Sequence, residues 1–396
     1  MTIVAGLAAR SPIPATVWLL GFVSLLMDVS SEMVQTLLPL YLAGGLGASA
    51  LTIGFIEGVS VAIATAAKFL SGILADWSGR SKPLAVLGYG LSALSRLVFP
   101  LATSIDLVVL GKAMDRVGKG IRGAPRDAMV AAATPPAIRG AGFGLRKSLD
   151  AVGGFLGPIL AVVLMLAFLG DINAVFWFAL LPASLALGLL VLFVREPETA
   201  PPPRKTFRLA QAMRLNRAIW SVLALASLIS LARFSEAFVI LKALDAGWAV
   251  SFVPLAMVIM HAFYGLATYP AGRLFDRIGH RALLICSLGF LVAAHLTLGF
   301  ADNVGLFILG TILWGLHMGL SQGLLGAMIA AATPDHLKGS AFGTFNLVTG
   351  AVMLAGNSAA GWLWQGWGSA TPFLVGAGIS VLAMGLLAFR RGTKPD

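Results

Sequence analysis

The stretch Ala131-Ala-Ala-Thr-Pro-Pro-Ala-Ile-Arg-Gly-Ala-Gly-Phe-Gly144 returns 199 positions later as Ala330-Ala-Ala-Thr-Pro-Asp-His-Leu-Lys-Gly-Ser-Ala-Phe-Gly343. A second pair agrees. Gly72-Ile-Leu-Ala-Asp76-Trp-Ser-Gly79-Arg80 is echoed at offset 200 by Gly272-Arg-Leu-Phe-Asp276-Arg-Ile-Gly279-His-Arg281. A unit of nearly half the chain is therefore duplicated. Whatever one copy folds into, the other is bound to resemble, and the two are expected to face each other as related halves.

Both copies are too apolar for water. The chain is 58% hydrophobic and 11% charged, where a soluble domain carries about 25% charged residues. A membrane-crossing helix needs roughly 20 apolar residues. Such stretches occur at 16–43, 48–75, 83–102, 104–133, 140–168, 172–194, 218–245, 249–273, 281–300, 303–331, 339–366 and 370–390. The expectation is an all-α membrane protein of twelve transmembrane helices in two pseudo-symmetric six-helix bundles. The bundles span 1–194 and 218–396, with a linker at 195–217. Within the linker, Phe207–Leu215 suits a short amphipathic helix on the membrane surface. No cleavage site precedes the first apolar run, so no removed signal peptide is expected. The one cysteine, Cys286, excludes a disulfide within the chain.

Lys and Arg set the orientation. They crowd the segments after helices 2, 4, 6, 8 and 10 (Arg80, Lys82, Arg139, Arg195, Arg204, Lys205, Arg281 and Lys338 among them) and the tail at Arg390, Arg391 and Lys394. The opposite loops, such as Gly44–Ser49 and Gly170–Asn173, hold almost none. The positive-inside rule then places both termini in the cytoplasm of a multi-pass protein of the inner membrane. The net charge of +11 is thus mostly a topology signal, and no nucleic-acid partner is expected.

The fourth helix breaks the apolar pattern with Asp115, Arg116, Lys119, Arg122, Arg126 and Asp127. Each charge costs roughly 2.5–3.5 kcal/mol at the centre of a membrane helix. Asp115, Lys119, Arg122 and Arg126 share one face, which must look at water, substrate or opposite charge. Helices 4 and 5 turn near Pro135 and Pro136. Equal distance from that turn puts Arg122 level with Asp150 and Asp127 level with Arg146, and ion pairs are expected at both levels. Arg122 and Asp150 lie ~21 Å from the turn at 1.5 Å per residue, close to mid-membrane. The surplus charge, Lys119 or Arg126 with Lys147, is available to an anionic group. In the second copy Asp115, Arg116, Arg122, Arg126 and Asp127 become Trp314, Gly315, Ser321, Leu325 and Gly326. A need common to both halves would have kept them, so the loss points to a function lodged in the first half.

Helix 1 carries Asp28 and Glu32 on one face. Two nearby carboxylates in low dielectric cannot both ionise cheaply, which suits a proton carrier. Arg233-Phe-Ser-Glu236 in helix 7 echoes Ser31-Glu32 at offset 204. Glu32, then Asp28, then Glu236 are the expected protonation sites. The alternative is that these acids pair with Arg96, Arg116 or Arg233 and stay ionised. Gln322, Asn346 and Asn357 are polar groups in helices 10 and 11 that either line a cavity or bond across helices. Met257, Met260, His261, His317 and Met318 offer soft metal ligands but lack a tight ligand spacing. No metal site is assigned.

The loop after helix 2, with Gly72, Leu74, Asp76, Gly79, Arg80 and Lys82, resembles the signature loop of the major facilitator superfamily. Trp77 stands where that family usually has Arg; the second copy keeps Arg277 there. Arg116, Gly120 and Ala124 match the family's Arg-x-x-x-Gly-x-x-x-Ala pattern in helix 4. Gly153-x-x-x-Gly157-Pro158 is similar to the motif of its proton-coupled drug and metabolite antiporters, although Ala161 and Val162 replace the glycine pair that often follows. The resemblance implies a monomeric transporter with two rocking six-helix halves. It also implies that Gly72, Asp76, Gly79 and Arg80, with Gly272, Asp276, Arg277 and Gly279, latch one conformation.

No phosphate-cradling loop and no Ser/His/Asp arrangement are visible, so neither an ATP-driven pump nor an enzyme is expected, and no cofactor is called for. The expected function is secondary transport of a small molecule through a lipid bilayer by alternating access, driven by protons and directed outward. The alternatives are export of a transition metal or its chelate, and proton-coupled import of an organic anion.

Overall fold

The computed structural model describes residues 13–78, 80–196, 217–321, 324–333 and 338–389. Among them the chain forms helices and no strand. In order these are α1 (Ala15–Leu40, extended by a π-helical turn Tyr41–Gly45), α2 (Ala50–Ser78), α3 (Ser81–Leu101), α4 (Ile105–Ala133), α5 (Arg139–Ala167) and α6 (Ile172–Phe193). α7 follows in two pieces, Arg217–Ala232 and Ala237–Asp245. The run Leu255–Gly299 is broken at Gly279, whose φ of 74° only glycine adopts readily, into α8 before and α9 after it. α10 comprises Val304–Ser321 and Leu324–Ala332; α11 is Lys338–Trp367 and α12 Thr371–Phe389. The amphipathic segment expected at 207–215 lies outside the described residues.

Two boundaries differ from expectation. Helix 7 is interrupted over residues 233–236. The freed amide of Ser235 donates to Asn357 Oδ1 at 2.7 Å, and Ser235 Oγ accepts from Ala237 N at 3.2 Å. α8 starts at Leu255, after a 3₁₀ turn at Val250–Phe252. Elsewhere the caps explain the starts. Ser104 caps α4, Asp171 caps α6, and the Glu196 carboxylate accepts from Ser81 N at 2.6 Å and Lys82 N at 2.8 Å at the head of α3.

The duplication is a duplication of contacts. A methyl placed on Gly120 of α4 would meet Lys68 N at 2.8 Å, and one on Gly319 of α10 would meet Thr268 N at 3.2 Å. These positions are related by the repeat, and small residues let the backbones approach where lipid supplies no hydrophobic drive. Lys82 Nζ donates to the Val191 carbonyl in the first half, as Arg281 Nη2 does to Ala388 in the second.

The halves meet along α2–α11 and α5–α8. At the end away from the basic loops they are sealed. Met33, Leu37, Ile53 and Ile56 share one buried cluster with Phe238, Val239, Leu241 and Met257. Gly58 and Gly361 bring α2 and α11 together so closely that a methyl on Gly58 would stand 2.8 Å from Leu354 Cα, and one on Gly361 2.8 Å from Leu51 Cα. At the basic end Val17, Leu20, Tyr89, Met129 and Leu190 form a cluster within the first half alone. The space between the halves is left there.

Candidate functional site

Behind that space stands a buried arginine. Arg96 of α3, 1% exposed, meets Asp115 Oδ1 of α4 at 2.8 Å. It also donates to Ser30 Oγ at 3.0 Å and Ser31 Oγ at 2.8 Å on α1, and Ser30 Oγ donates to the Ala179 carbonyl of α6. The charge is paired and hydrogen-bonded, the condition for burying it at all. It joins four helices of the first half. Asp115, on the helix 4 face expected to look at water, substrate or opposite charge, finds the opposite charge here.

The cavity has a volume of about 990 Å³. Its charged wall comprises Lys68, Lys119, Arg122, Arg126, Arg146 and Lys147 against Asp28, Asp127 and Asp150, a surplus of three positive charges. The arginines use the acids. Arg146 bonds Asp150 at 2.7 Å and lies 3.7 Å from Asp127, Arg126 meets Asp127 at 3.2 Å, and Arg122 lies 4.0 Å from Asp28. Arg122 is further fixed by a 2.6 Å bond to Ser92 Oγ and by the Tyr89 ring 4.8 Å away. Lys68, Lys119 and Lys147 form no ion pair among the described residues. The surplus is those three lysines. The opposite wall, on α8, is His261, Ala262, Tyr264, Gly265 and Leu266.

The expected pair Asp127–Arg146 is present, and the expected pair Arg122–Asp150 is not. α4 packs on α2 and α3 while α5 packs on α1, so the two helices of the hairpin are not close neighbours. Arg122 turns to Asp28 of α1, and Asp150 turns to Arg146 on its own helix. Gly153 and Gly157 are the contact of α5 with α1. A methyl on Gly153 would meet Asp28 Cβ at 3.1 Å, and one on Gly157 would meet Glu32 Cβ at 2.6 Å. Pro158 lies inside the helix beside them.

A second, smaller chamber of about 80 Å³ lies between α1, α2, α7 and α8. Glu32, Glu57 and Glu236 line it, with Gln35, Ser235 and His261. Glu32 and Glu236 are repeat-related, as are Thr36 and Ile240 and also Glu57 and Met257, all on its wall. The chamber therefore straddles the pseudo-symmetry axis. Glu57 is paired with Lys112 of α4, and Arg116 donates to Gln35 Oε1 at 2.6 Å. Neither Glu32 nor Glu236 is in an ion pair among the described residues. Arg96 and Arg116, the partners considered for Glu32, are engaged with Asp115 and Gln35. Glu57 and Lys112 were missed as site residues; a lone acid and a lone base in two apolar runs were the available signal.

Arg233 stands at the break of α7 and Asn346 within α11, and neither lines these two cavities. Gln322 and Gly79 lie outside the described residues, as do the side chains at Gly72, Asp76, Gly272, Asp276 and Arg277. Arg80 is exposed. The soft-ligand candidates are separated: His317 Nδ1 lies 2.9 Å from both oxygens of Ser287, and Met260 is in the core.

The sequence profile of the Major Facilitator Superfamily matches residues 20–244 and 234–396. The chain belongs to the major facilitator superfamily. An uncharacterized MFS-type transporter of Methanocaldococcus jannaschii is 31% identical over 382 residues, 94% of either chain. The multidrug resistance protein MdtG of Klebsiella pneumoniae is 35% identical over 127 residues, 32% of this chain and 30% of its own. Among solved structures, that of the nucleoside transporter NupG superposes with a TM-score of 0.82 at 15% identity, covering 94% of this chain and 99% of NupG. As a major facilitator, this multi-pass membrane protein is a transporter, and the space between its halves is where such a protein takes its substrate.

Proposed function

We propose that the protein exports a small organic anion in exchange for protons. The observation that carries this reading is the cavity wall on which three arginines consume three carboxylates and leave Lys68, Lys119 and Lys147 unpaired. A carboxylate or phosphate entering there gains charge-assisted hydrogen bonds. The outward direction is supported by the antiporter-like Gly153, Gly157 and Pro158 and by the similarity to a multidrug resistance protein. With the basic loops and both termini in the cytoplasm of the inner membrane, the cavity faces inward and the seal of α2 on α11 faces outward. The six-helix halves, 1–194 and 218–396, rock about the inner chamber.

Glu32 and Glu236 supply the proton sites. A proton taken from outside neutralises Glu32 as substrate leaves, the halves rock, and its release to the cytoplasm resets the cavity. The test is flux in proteoliposomes loaded with pyranine under an imposed proton gradient. Benzoate, hexyl phosphate, tetraphenylphosphonium and zinc are supplied in turn. Proton movement with the two anions and not with the cation or the metal is expected. Glu32→Gln should abolish it while the protein stays folded; unchanged pH-dependent flux in that variant removes Glu32 from the mechanism.

A further inference from the structure

His261 is the only residue on the walls of both described cavities. Its Nδ1 lies 2.9 Å from the carbonyl oxygen of Met257, one turn earlier on α8. A carbonyl can only accept, so Nδ1 carries the hydrogen, and in the neutral ring Nε2 is left as a base. Among the described residues Nε2 bonds no protein group. The tautomer is thus set by the backbone, and the basic nitrogen is free on the boundary between wide cavity and inner chamber.

We propose that His261 passes protons between the cavity and Glu32. This rests on the proton-coupled reading above. The Nε2 lone pair takes a proton from cavity water, giving imidazolium with Nδ1–H still held by Met257. The Nε2–H bond then breaks to a carboxylate oxygen of Glu32, leaving a neutral ring and a carboxylic acid. On the chamber side Glu32 of α1, Glu57 of α2 and Glu236 at the break of α7 face the ring, and only Glu57 is neutralised by a lysine. On the cavity side Asp28, Asp127 and Asp150 are taken by Arg122, Arg126 and Arg146, which leaves Lys68 of α2, Lys119 of α4 and Lys147 of α5 in excess, while Tyr264 packs edge-on at 6.5 Å. Arg116, which donates to Gln35 on the chamber wall, and Arg233 at the break of α7 are further cations on the chamber side. His261 belongs to the second half and Glu32 to the first. Rocking of the halves therefore makes and breaks the transfer path, which ties proton movement to the conformational cycle.

Solid-state ¹⁵N spectra of histidine-labelled protein in liposomes test this. The chain has 5 histidines, and the His261 signal is the one absent from His261→Gln. The expected ring is neutral with hydrogen on Nδ1 at high pH, becomes doubly protonated on acidification, and shifts its midpoint in Glu32→Gln. In flux, using whichever of the four probes gives the largest proton signal in the unsubstituted protein, His261→Gln should lower proton movement by a far larger factor than it lowers probe counterflow. A ring holding one protonation state between about pH 5 and 9 overturns the relay. So does a proton flux equal to that of the unsubstituted protein, or loss of counterflow together with it, which would make His261 a substrate contact. If the unsubstituted protein moves no protons with any probe, the antiport reading fails, and the spectra still decide whether His261 and Glu32 exchange a proton.

Discussion

Replacing Gly157 by alanine tests whether α5 is pressed against the acidic turn of α1. The new methyl would lie 2.6 Å from Glu32 Cβ, 2.8 Å from the Val29 carbonyl oxygen and 3.3 Å from Met33 N. Carbon atoms rest at about 3.5–4.0 Å, and two of these three neighbours are backbone, which cannot swing aside. The helices must part by nearly an ångström. Overpacking of this kind costs about 1–3 kcal/mol. Alanine also gains about 0.5–1 kcal/mol over glycine within a helix, and a control removes that contribution. Gly154, three residues earlier, lines the cavity and has nothing within 4 Å of an added methyl. The helical gain is common to both substitutions, so their difference is the steric cost alone, about 1–3 kcal/mol. Unfolding of the two variants in mixed micelles of increasing SDS fraction, followed by tryptophan fluorescence, measures it. Gly157→Ala should also lose most proton-coupled flux, because the displaced neighbour is Glu32. Equal unfolding midpoints for the two variants, with flux intact in both, would refute the packing argument.

Arg96→Met should destabilise the protein by about 3–5 kcal/mol, the usual result of stripping one partner from a buried pair; the double variant Arg96→Met/Asp115→Leu should recover much of this in the same unfolding assay. Lys68→Gln, Lys119→Gln and Lys147→Gln remove cations that no carboxylate engages, so unfolding midpoints should hold. Each should weaken binding of the anionic probe, by at least about tenfold where the lysine makes a charge-assisted bond worth roughly 1.5–3 kcal/mol, as measured by the half-saturating concentration for flux.

The number of helices and most of their bounds were legible because lipid imposes a length on every apolar run. What escaped was anything set by which helices touch. The level-by-level pairing of Arg122 with Asp150 assumed that a hairpin's two helices are neighbours. In this fold α1 packs on α5 and α2 lies against α4, so Arg122 reaches Asp28 of α1 and Asp150 is left to Arg146 of its own helix. The interruption of α7 at Arg233–Glu236 was likewise invisible locally, since no glycine or proline marks it; its freed amide is satisfied by Asn357, more than a hundred residues later. Glycine spacing read better. The antiporter-like Gly153 and Gly157 lie where α5 meets α1, against Asp28 and Glu32.

The two copies have parted most where charge is concerned. Ser30, Arg96 and Asp115 form the hydrogen-bonded pillar of the first half. Their repeat mates are Phe234, His295 and Trp314, whose rings lie 5.2–5.7 Å apart in the core of the second. Likewise the close approach of Gly88 to Gly118 becomes the contact of Ser287 with His317. The same backbone junction is thus held once by ions and once by rings. Replacing a buried ion pair by well-packed apolar groups is often neutral or stabilising, so stability alone does not account for keeping ions in the first half. Asp115 lies on the helix that carries Arg122, and Arg96 bonds Ser30 and Ser31 on the α1 turn between Asp28 and Glu32. On the proton-coupled reading proposed above, the fixed pair behind the cavity keeps α1, α3 and α4 in register while the acids and lysines in front change their load. The second half has no such wall to hold, and rings suffice there.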